Sequence, residues 1–364
     1  MATLTQASSA AQMPKKSGLS AKNQERLAGI IFTLPALAII VTFIFIPLIF
    51  AFFISFTDWS GLQPPTEAQG VGLANYERIF GLNDSGTVIR DEFFFAIKNT
   101  FYYTLIVVPT QTALSLVLAF IVNQRFLRFK GFFRTAFYFP SITSSIVVAT
   151  IFMWLFNRNG VINGVIEGVA NFLGGEYRPV TWINDANGVF HQIFRIFGLT
   201  IQTAPEWMTA NKILGQTPWQ WLSGPSVTML AIMLLAIWTT TGTMMLIFLA
   251  ALQDVPRQLY EAASVDGATR WQQFWKITVP MLRPTTFFVV TIGLIGCFQV
   301  FDQIYVISQG EPAGTTKTIA WIVYRNAFRD SEAGLGAALA FVLFVIIAIF
   351  TVIQRRMVGA NVRQ

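Results

Sequence analysis

Long apolar segments without charge recur along the chain and dominate its pattern. A transmembrane helix needs about 20 apolar residues, and these segments approach or exceed that length. They lack the period-two alternation typical of transmembrane barrel strands. The segments are 27–56, 100–122, 136–156, 227–252, 285–301 (extending to Ile304) and 334–353. The pattern predicts an all-α polytopic membrane protein with six transmembrane helices.

The composition agrees with this pattern. Of 364 residues, 54% are hydrophobic and only 12% are charged, whereas a soluble domain carries about 25% charged residues. This balance excludes an ordinary soluble enzyme and a disordered chain. One cysteine, Cys297, and one histidine, His191, exclude an internal disulfide and a Cys/His zinc site. They also leave no nucleophile–His–acid set, so we predict no metal site and no catalytic residue.

The distribution of Lys and Arg predicts the orientation in the membrane. The N-terminal segment, the connections 123–135 and 253–284 and the C-terminal segment together hold 15 basic and 4 acidic residues. The opposite connections hold 10 basic and 13 acidic residues. Basic residues concentrate on the cytoplasmic side, so both termini are expected there, in a multi-pass protein of the cytoplasmic membrane. The net charge of +7 then follows from topology and gives no reason to expect nucleic-acid binding.

The same pattern divides the chain. We predict a disordered cytoplasmic tail over 1–26, a six-helix membrane domain over 27–354 and a cytoplasmic tail over 355–364. Two connections stand out for their length. The enlarged extracytoplasmic loop 157–226 has apolar stretches at 161–173 and 189–202 that predict short helices. It is interpreted either as a small subdomain or as a lid over helix ends. The second long connection is the cytoplasmic segment 254–280.

This cytoplasmic segment is predicted to form a helix-turn-helix. Asp254 is expected to cap a first helix that has Pro256 in its first turn. Gly267 suits the left-handed position that ends such a helix. Thr269 with Gln272 forms a capping-box pattern for a second helix, which the proline at the end of the segment would stop. The element is too apolar to lie free in water.

The spacing of residues in this segment resembles a known signature. It matches the EAA loop of permease subunits in binding-protein-dependent ABC importers, with Val279 in place of the usual Leu. Other segments, around Asn75, Asn99, Trp221 and Glu311, resemble the sugar-importing, maltose-permease-like branch, although Glu311 replaces its usual Gly. The residues that carry the loop match are Glu261, Ala262, Ala263, Gly267, Ile277 and Pro280.

The resemblance implies a set of partners. A second homologous permease, two ATP-binding cassette subunits and an extracytoplasmic sugar-binding protein would complete the importer. The EAA loop, including Asp266, would contact the ATPase, and Glu261 would pair with a basic residue there. The phosphate-binding pattern G-x-x-x-x-G-K-[ST] is absent from this sequence. ATP and Mg are therefore expected on the partner ATPase subunits, with no cofactor in this chain.

Polar residues inside the spans are candidates for the substrate pathway, because each is costly in lipid and tends to face the bundle interior. The resemblance implies contacts at Ser141, Ser145, Thr240, Gly293 and Cys297, with Gln299 beside them. Polarity alone adds Thr239, Thr241 and Asp302. The alternative for Ser and Thr is a bond to the carbonyl one turn back, and for Asp302 an ion pair or cap. The candidates are Ser141, Ser145, Thr239, Thr240, Thr241, Gly293, Cys297, Gln299 and Asp302.

The function expected from this resemblance is ATP-driven import of an oligosaccharide or glycoside across the cytoplasmic membrane, with no enzymatic activity in this chain. A permease for a polyol, a glycerol derivative or another small polar solute remains an alternative. An ion-coupled secondary carrier is another, although Asp302 is the only acidic residue near membrane depth. A membrane scaffold would give no reason for the EAA loop.

Overall fold

A computed structural model describes residues 21–82, 87–124 and 127–359. Within these ranges the regular secondary structure is helical, with a few isolated β-bridges and no strand. The helices in chain order are α1 (Ala21–Ile40), α2 (Ile46–Ile54), α3 (Ala74–Phe80), α4 (Thr87–Asn123), α5 (Lys130–Ile142), α6 (Ser145–Leu155), α7 (Val161–Phe172), α8 (Val189–Ile196), α9 (Glu206–Thr209), α10 (Pro218–Trp221), α11 (Val227–Asp254), α12 (Arg257–Val265), α13 (Arg270–Gln273), α14 (Val279–Met281), α15 (Arg283–Phe298), α16 (Asp302–Ile307), α17 (Ile319–Tyr324) and α18 (Ala333–Gly359). The prediction of an all-α polytopic fold is confirmed.

Most of the predicted spans are present as helices, with different ends. In the described part of the chain, five stretches are long and apolar enough to cross a membrane, and a bent helix pair makes a sixth. The five are Glu25–Ile54, Val88–Asn123, Val227–Asp254, Arg283–Ile307 and Ala333–Arg356. The first contains a π-helical turn, Val41–Phe45, and forms a unit separate from residues 54–364.

The third predicted span is not one continuous helix. The helices α5 and α6 are bent by 98° at Thr143 and Ser144, where both residues adopt extended backbone conformations. Pro140, near the end of α5, removes a backbone donor and disfavours helical continuation, and the hydroxyl-rich stretch that follows can bind the freed carbonyls. The Thr143 hydroxyl, for example, donates to Phe139 O at 2.9 Å.

The structure also corrects the two predicted tails. Residues 21–26, predicted to be disordered, begin α1, because Lys22, Glu25 and Arg26 are good helix formers with no helix breaker among them. Residues 1–20 lie outside the described part. At the other end, α18 continues through Gly359, so half of the predicted C-terminal tail is helical.

The core of residues 54–364 is built around α4 and α11. Tyr103 and Val107 of α4 lie in one buried cluster with Met229 and Ile232 of α11 and Phe298 of α15. In lipid, helix association depends on close packing rather than on hydrophobic exclusion from water. Close packing of these buried side chains therefore holds α4, α11 and α15 together.

Polar side chains near the start of α4 bind the connections 157–226 and 305–333 at one end of the bundle, here called the loop end. Lys98 Nζ donates to Gln220 O at 3.2 Å, and the Tyr102 hydroxyl donates to Trp221 O at 2.7 Å. Glu92 forms an ion pair with Lys317 Nζ at 2.7 Å. The loop end is thus fixed to α4 by charged and neutral hydrogen bonds.

The enlarged loop 157–226 is ordered by its own contacts. Its two predicted short helices are confirmed as α7 and α8. The His191 ring, on α8, stacks on Trp219 with centroids 4.3 Å apart, and its Nε2 lies 2.9 Å from Trp219 O. Burial lowers the pKa of His191, an effect only partly offset by this hydrogen bond and added to by nearby Lys98.

We predict that acidification loosens this loop. Because the folded-state pKa of His191 is lowered, its contribution to stability is present above the ordinary histidine pKa and is lost as the pH falls through the folded-state value. Limited proteolysis within residues 157–226 should therefore accelerate at acidic pH. The His191→Phe variant keeps an aromatic ring on Trp219 without a titratable group and should show a smaller pH effect. Equal acceleration in both proteins would contradict the prediction.

Candidate functional site

The predicted helix-turn-helix, residues 254–280, is present and is here called the elbow. Its first helix is α12, and Gly267 follows in the left-handed conformation, with φ of +77°. Thr269 and Gln272 form both hydrogen bonds of a capping box at the start of α13. Gln273 Nε2 then donates to Ser264 Oγ at 2.9 Å and ties the second helix to the first.

Two details of the predicted elbow were wrong. Asp254 is the last residue of α11 and does not cap α12. Pro256 holds the preceding residue, Val255, in an extended conformation, so the two helices are separated there. Pro256 itself is the N-cap of α12, without a side-chain cap bond. Pro280 does not end the second helix. A π-helical turn, Phe274–Thr278, leads into α14, where Pro280 occupies the tolerated second position.

A ring contact attaches the elbow to the bundle. The Phe274 ring packs edge-on against Phe120 of α4 with centroids 5.1 Å apart. Within the elbow, the hydroxyls of Tyr260 and Thr278 lie 2.9 Å apart and join α12 to the π-helical turn Phe274–Thr278. An open groove of about 1650 Å³ lies beside the elbow. Residues of α4, α5 and α11 line it together with the elbow. The elbow is therefore part of the helix bundle and not a flexible linker.

The predicted coupling residues divide by exposure. Glu261, Ala262, Asp266 and Gly267 are exposed, whereas Ala263, Ile277 and Pro280 are half-buried. Glu261 has no ion-pair partner among the described residues. The exposed side of the elbow thus presents a carboxylate beside small residues, and the half-buried residues pack it against the bundle.

The candidate pathway residues include a contact between two interrupted helices. Helix α15 ends at Phe298, and α16 begins at Asp302, so the fifth span breaks at Gln299. The Ser145 hydroxyl, at the start of α6, donates to Asp302 Oδ2 at 2.9 Å. The break in the third span therefore meets the break in the fifth. Exposed Gln299 and Asp302 offer polar groups at this point.

A second contact joins α5 to α11. The Ser141 hydroxyl donates to Thr239 O at 2.5 Å and accepts from Thr243 N at 3.2 Å. At Gly242 a Cβ would collide with Phe137 O, and it would lie 2.8 Å from Ser141 Oγ. The glycine thus permits the backbones of α5 and α11 to approach closely. The Thr239 hydroxyl itself bonds carbonyls of its own helix.

Gln111, which was not predicted from the sequence, lies among the candidates. Gln111 of α4 is 1% exposed, and its Oε1 accepts a hydrogen bond from the Thr240 hydroxyl at 2.6 Å. Its Nε2 has no hydrogen-bond partner among the residues that the structure describes, and it occupies the space that a side chain at Gly293 would need. A buried glutamine in an apolar segment is the signal that could have identified it.

The remaining candidates lie inside the core. Thr241 is buried, and its hydroxyl donates to Ile237 O at 2.5 Å. Cys297 is 6% exposed and belongs to the main apolar cluster. The structure thus brings together Ser145 with Asp302, and Thr240 with Gly293 through the glutamine, but it places Thr241 and Cys297 away from the surface. Within the described residues no group of three or more His, Cys, Asp or Glu could hold a metal ion.

Comparison with known families decides the general class of the protein. Residues 111–360 match the model of the family described as "Binding-protein-dependent transport system inner membrane component". The chain belongs to this family. The family model covers the elbow and the helices α5, α6, α11, α15, α16 and α18. The prediction of a multi-pass transporter subunit of a binding-protein-dependent system, rather than an enzyme, is therefore confirmed.

Individual relatives align over most of this family member. The arabinooligosaccharides transport system permease protein AraP of Bacillus subtilis (strain 168) is 30% identical over 340 residues, covering 92% of this chain and 90% of the relative. The lactose transport system permease protein LacF of Rhizobium radiobacter is 27% identical, covering 94% of this chain and 97% of the relative.

A solved structure shares the fold. It is a crystal structure of a bacterial ABC transporter involved in the import of the acidic polysaccharide alginate. The TM-score is 0.65 at 20% sequence identity, and the match covers 93% of this chain and 96% of that one. This identity is low, so the similarity shows the arrangement of helices alone.

We predict that the Gln111 amide costs stability. A buried donor without a partner costs about 1–3 kcal/mol of folding free energy, and replacing Gln111 with leucine (Gln111→Leu) removes this cost. The Thr240 hydroxyl keeps its bond to Ala236 O at 2.7 Å. Thermal unfolding of the purified variant should occur at the same temperature as in the unaltered protein, or higher.

A buried amide with satisfied donors gives the matched control. Asn99 Nδ2 donates to Gly314 O at 3.2 Å and to Lys317 O at 2.9 Å. The Asn99→Leu variant leaves both carbonyls without this donor and should unfold at a clearly lower temperature. If Gln111→Leu is destabilised as strongly as Asn99→Leu, the Nε2 group has a partner and the prediction is wrong.

Proposed function

We propose that this chain is the permease subunit of an ATP-driven importer that carries an oligosaccharide or glycoside across the cytoplasmic membrane. The observation that carries the proposal is the elbow: a stiff helix-turn-helix that is bonded to the bundle on one side and presents Glu261 on the other. Such a surface suits a partner that supplies the force for transport. Relatives whose names mention arabinooligosaccharides and lactose support a sugar as the substrate.

The groove end of the bundle would face the cytoplasm. Lys130, Arg134, Arg257 and Arg270 line the groove against one acidic residue, Glu261, and cytoplasmic ends of spanning helices carry the excess of Lys and Arg. Both termini would then be cytoplasmic, and the loop end would face the outside. Segment 254–280 would be the cytoplasmic coupling loop and 157–226 the extracytoplasmic one, within a permease domain over 27–354.

One of two ATP-binding cassette subunits would dock on the elbow, and the other would dock on the corresponding loop of a second permease. Both would bind ATP and Mg. Glu261 is available for a basic residue of the ATPase, and Gly267 permits the sharp turn that makes the elbow protrude. A second homologous permease would complete the pathway. A sugar-binding protein would deliver the substrate to the loop end, in keeping with the family description and with a related alginate transporter that was crystallised with its periplasmic protein.

The substrate would pass near the two helix breaks. Interrupted spanning helices offer backbone and side-chain polar groups at membrane depth, which is where transporters bind polar solutes. Asp302 and Gln299 can accept or donate hydrogen bonds to hydroxyl groups, with Ser145 beside them. Ser141, Thr239 and Thr240 line the adjoining contact of α11, while Thr241, Gly293 and Cys297 would shape the wall behind them.

Coupling then requires only two conformations. ATP binding on the cytoplasmic side and docking of the loaded binding protein outside would favour the same outward-facing state. Ion coupling would have few charged groups available, because Asp302 is the single acidic residue of the sequence inside the predicted spans. A polyol or glycerol derivative would use the same hydroxyl-binding groups, and the panel of substrates tested must include them.

We predict that Glu261→Lys abolishes substrate-stimulated ATP hydrolysis, or assembly with the ATPase, because it places a like charge against the basic partner. The measurement is ATPase activity of the co-expressed complex in liposomes, with its binding protein and a panel of sugars and polyols. Glu25→Lys makes the same charge change at an exposed position near the start of α1, outside the elbow and the loop end, and should leave stimulation intact. Full transport by Glu261→Lys would refute the coupling role.

We further predict that Asp302→Ala lowers substrate-dependent uptake while the complex still assembles. Losing one charge-assisted hydrogen bond costs about 1.5–3 kcal/mol, which corresponds to a loss of roughly tenfold to a hundredfold. Thr240→Leu should show the same direction. Glu25→Ala removes an exposed acidic residue near the start of α1, outside the proposed pathway and the loop end, and serves as the control. Unchanged uptake in both Asp302→Ala and Thr240→Leu would remove these residues from the pathway.

A further inference from the structure

The helix α7 has one apolar and one polar side. Val165, Val169 and Phe172 are 60%, 54% and 89% exposed and project from the same side, because they are spaced by about one and two helical turns. Asn163 and Glu167 lie on the opposite side. Large apolar side chains this exposed on one helix mark a surface that contacts something other than water.

The polar side of α7 is fixed to the rest of the loop through Asn163, which is 2% exposed. Its Nδ2 donates to Arg158 O at 2.7 Å and to Val180 O at 2.9 Å. Its Oδ1 accepts from the Tyr177 hydroxyl at 2.5 Å and from Trp182 Nε1 at 2.9 Å. All hydrogen-bonding groups of this amide are used, so the apolar side of α7 is held facing away from the loop.

The position of α7 follows from its connection to α6. A Cβ at Gly160 would lie 2.5 Å from Leu155 O and 2.6 Å from Trp154 O, so the start of α7 touches the last turn of α6. Trp154 is 67% exposed, and tryptophan favours the boundary between lipid and water. The apolar side of α7 therefore starts where the lipid-facing surface of α6 ends.

We propose that α7 lies in the membrane–water interface at the loop end, with its Val165–Phe172 side inserted among phospholipid chains. Exposed Arg158, in the turn between α6 and α7, stands where phosphate groups of the lipids would be. Amphipathic helices with this arrangement lie in the interface plane. The helix then anchors the enlarged loop to the bilayer beside the third span, a role separate from sugar transport.

Site-directed spin labelling tests this placement. The variants Val165→Cys and Phe172→Cys are labelled in the full chain, purified with the subunits that accompany it, and reconstituted in phosphatidylethanolamine–phosphatidylglycerol vesicles. Glu167→Cys, on the opposite side of the same helix, is the matched control. Native Cys297 is 6% exposed, and the unaltered protein measures any labelling at that position.

Collision with oxygen, which concentrates in lipid, is compared with collision with a water-soluble nickel chelate. We expect the oxygen-to-nickel ratio at residues 165 and 172 to exceed that at 167 severalfold. Ratios equal to that at 167 would show that the side faces water. Low collision rates with both reagents would show that a protein chain covers it. Either result overturns the proposal, and Val169→Cys replaces Phe172→Cys if that variant does not assemble.

Discussion

A backbone polar group inside a bilayer must find its partner within the protein. This constraint explains why the described spans are helices and why their interruptions are the places where polar side chains gather. Where the third span breaks at Thr143 and Ser144, the Thr143 hydroxyl donates to the carbonyl of Phe139. Where the fifth span breaks before Asp302, Ser145 supplies a donor to the carboxylate. The two breaks therefore stabilise each other.

The same helices connect the breaks to the elbow. Helix α15 starts directly after the elbow and has 16 residues, so at 1.5 Å per residue it runs about 24 Å before the chain reaches the break at Gln299. Helix α11 passes Thr239 and Gly242 and ends where the elbow begins. A displacement of the elbow would thus be carried along two rigid helices to the polar contacts, without a flexible connection between them.

The sequence predicted the features that local chemistry determines. Gly267 in the left-handed conformation and the Thr269–Gln272 capping box depend on neighbours within a few residues, and both are present. The prediction was wrong where the hydropathy of a whole segment was used to infer the shape of a helix, or where contacts distant in the sequence decide the role of a residue. The absence of charged residues over 136–156 led to the prediction of one continuous third span. Pro280 was tolerated because a π-helical turn precedes it. Gln111 was overlooked because its significance depends on Thr240 and Gly293, which are distant in the sequence.

A further gap between pattern and structure lies at the start of α4. Hydropathy placed this span at 100–122, yet the helix begins at Thr87, and the added turns carry Glu92 and Lys98. A search for apolar segments does not detect these charged residues, but they bind the connections 157–226 and 305–333, where the binding protein would dock in the proposed function. Hydropathy measures where a helix meets lipid and does not measure where the helix ends. In this chain the extension of α4 beyond its apolar segment is what joins the membrane domain to the loops outside it.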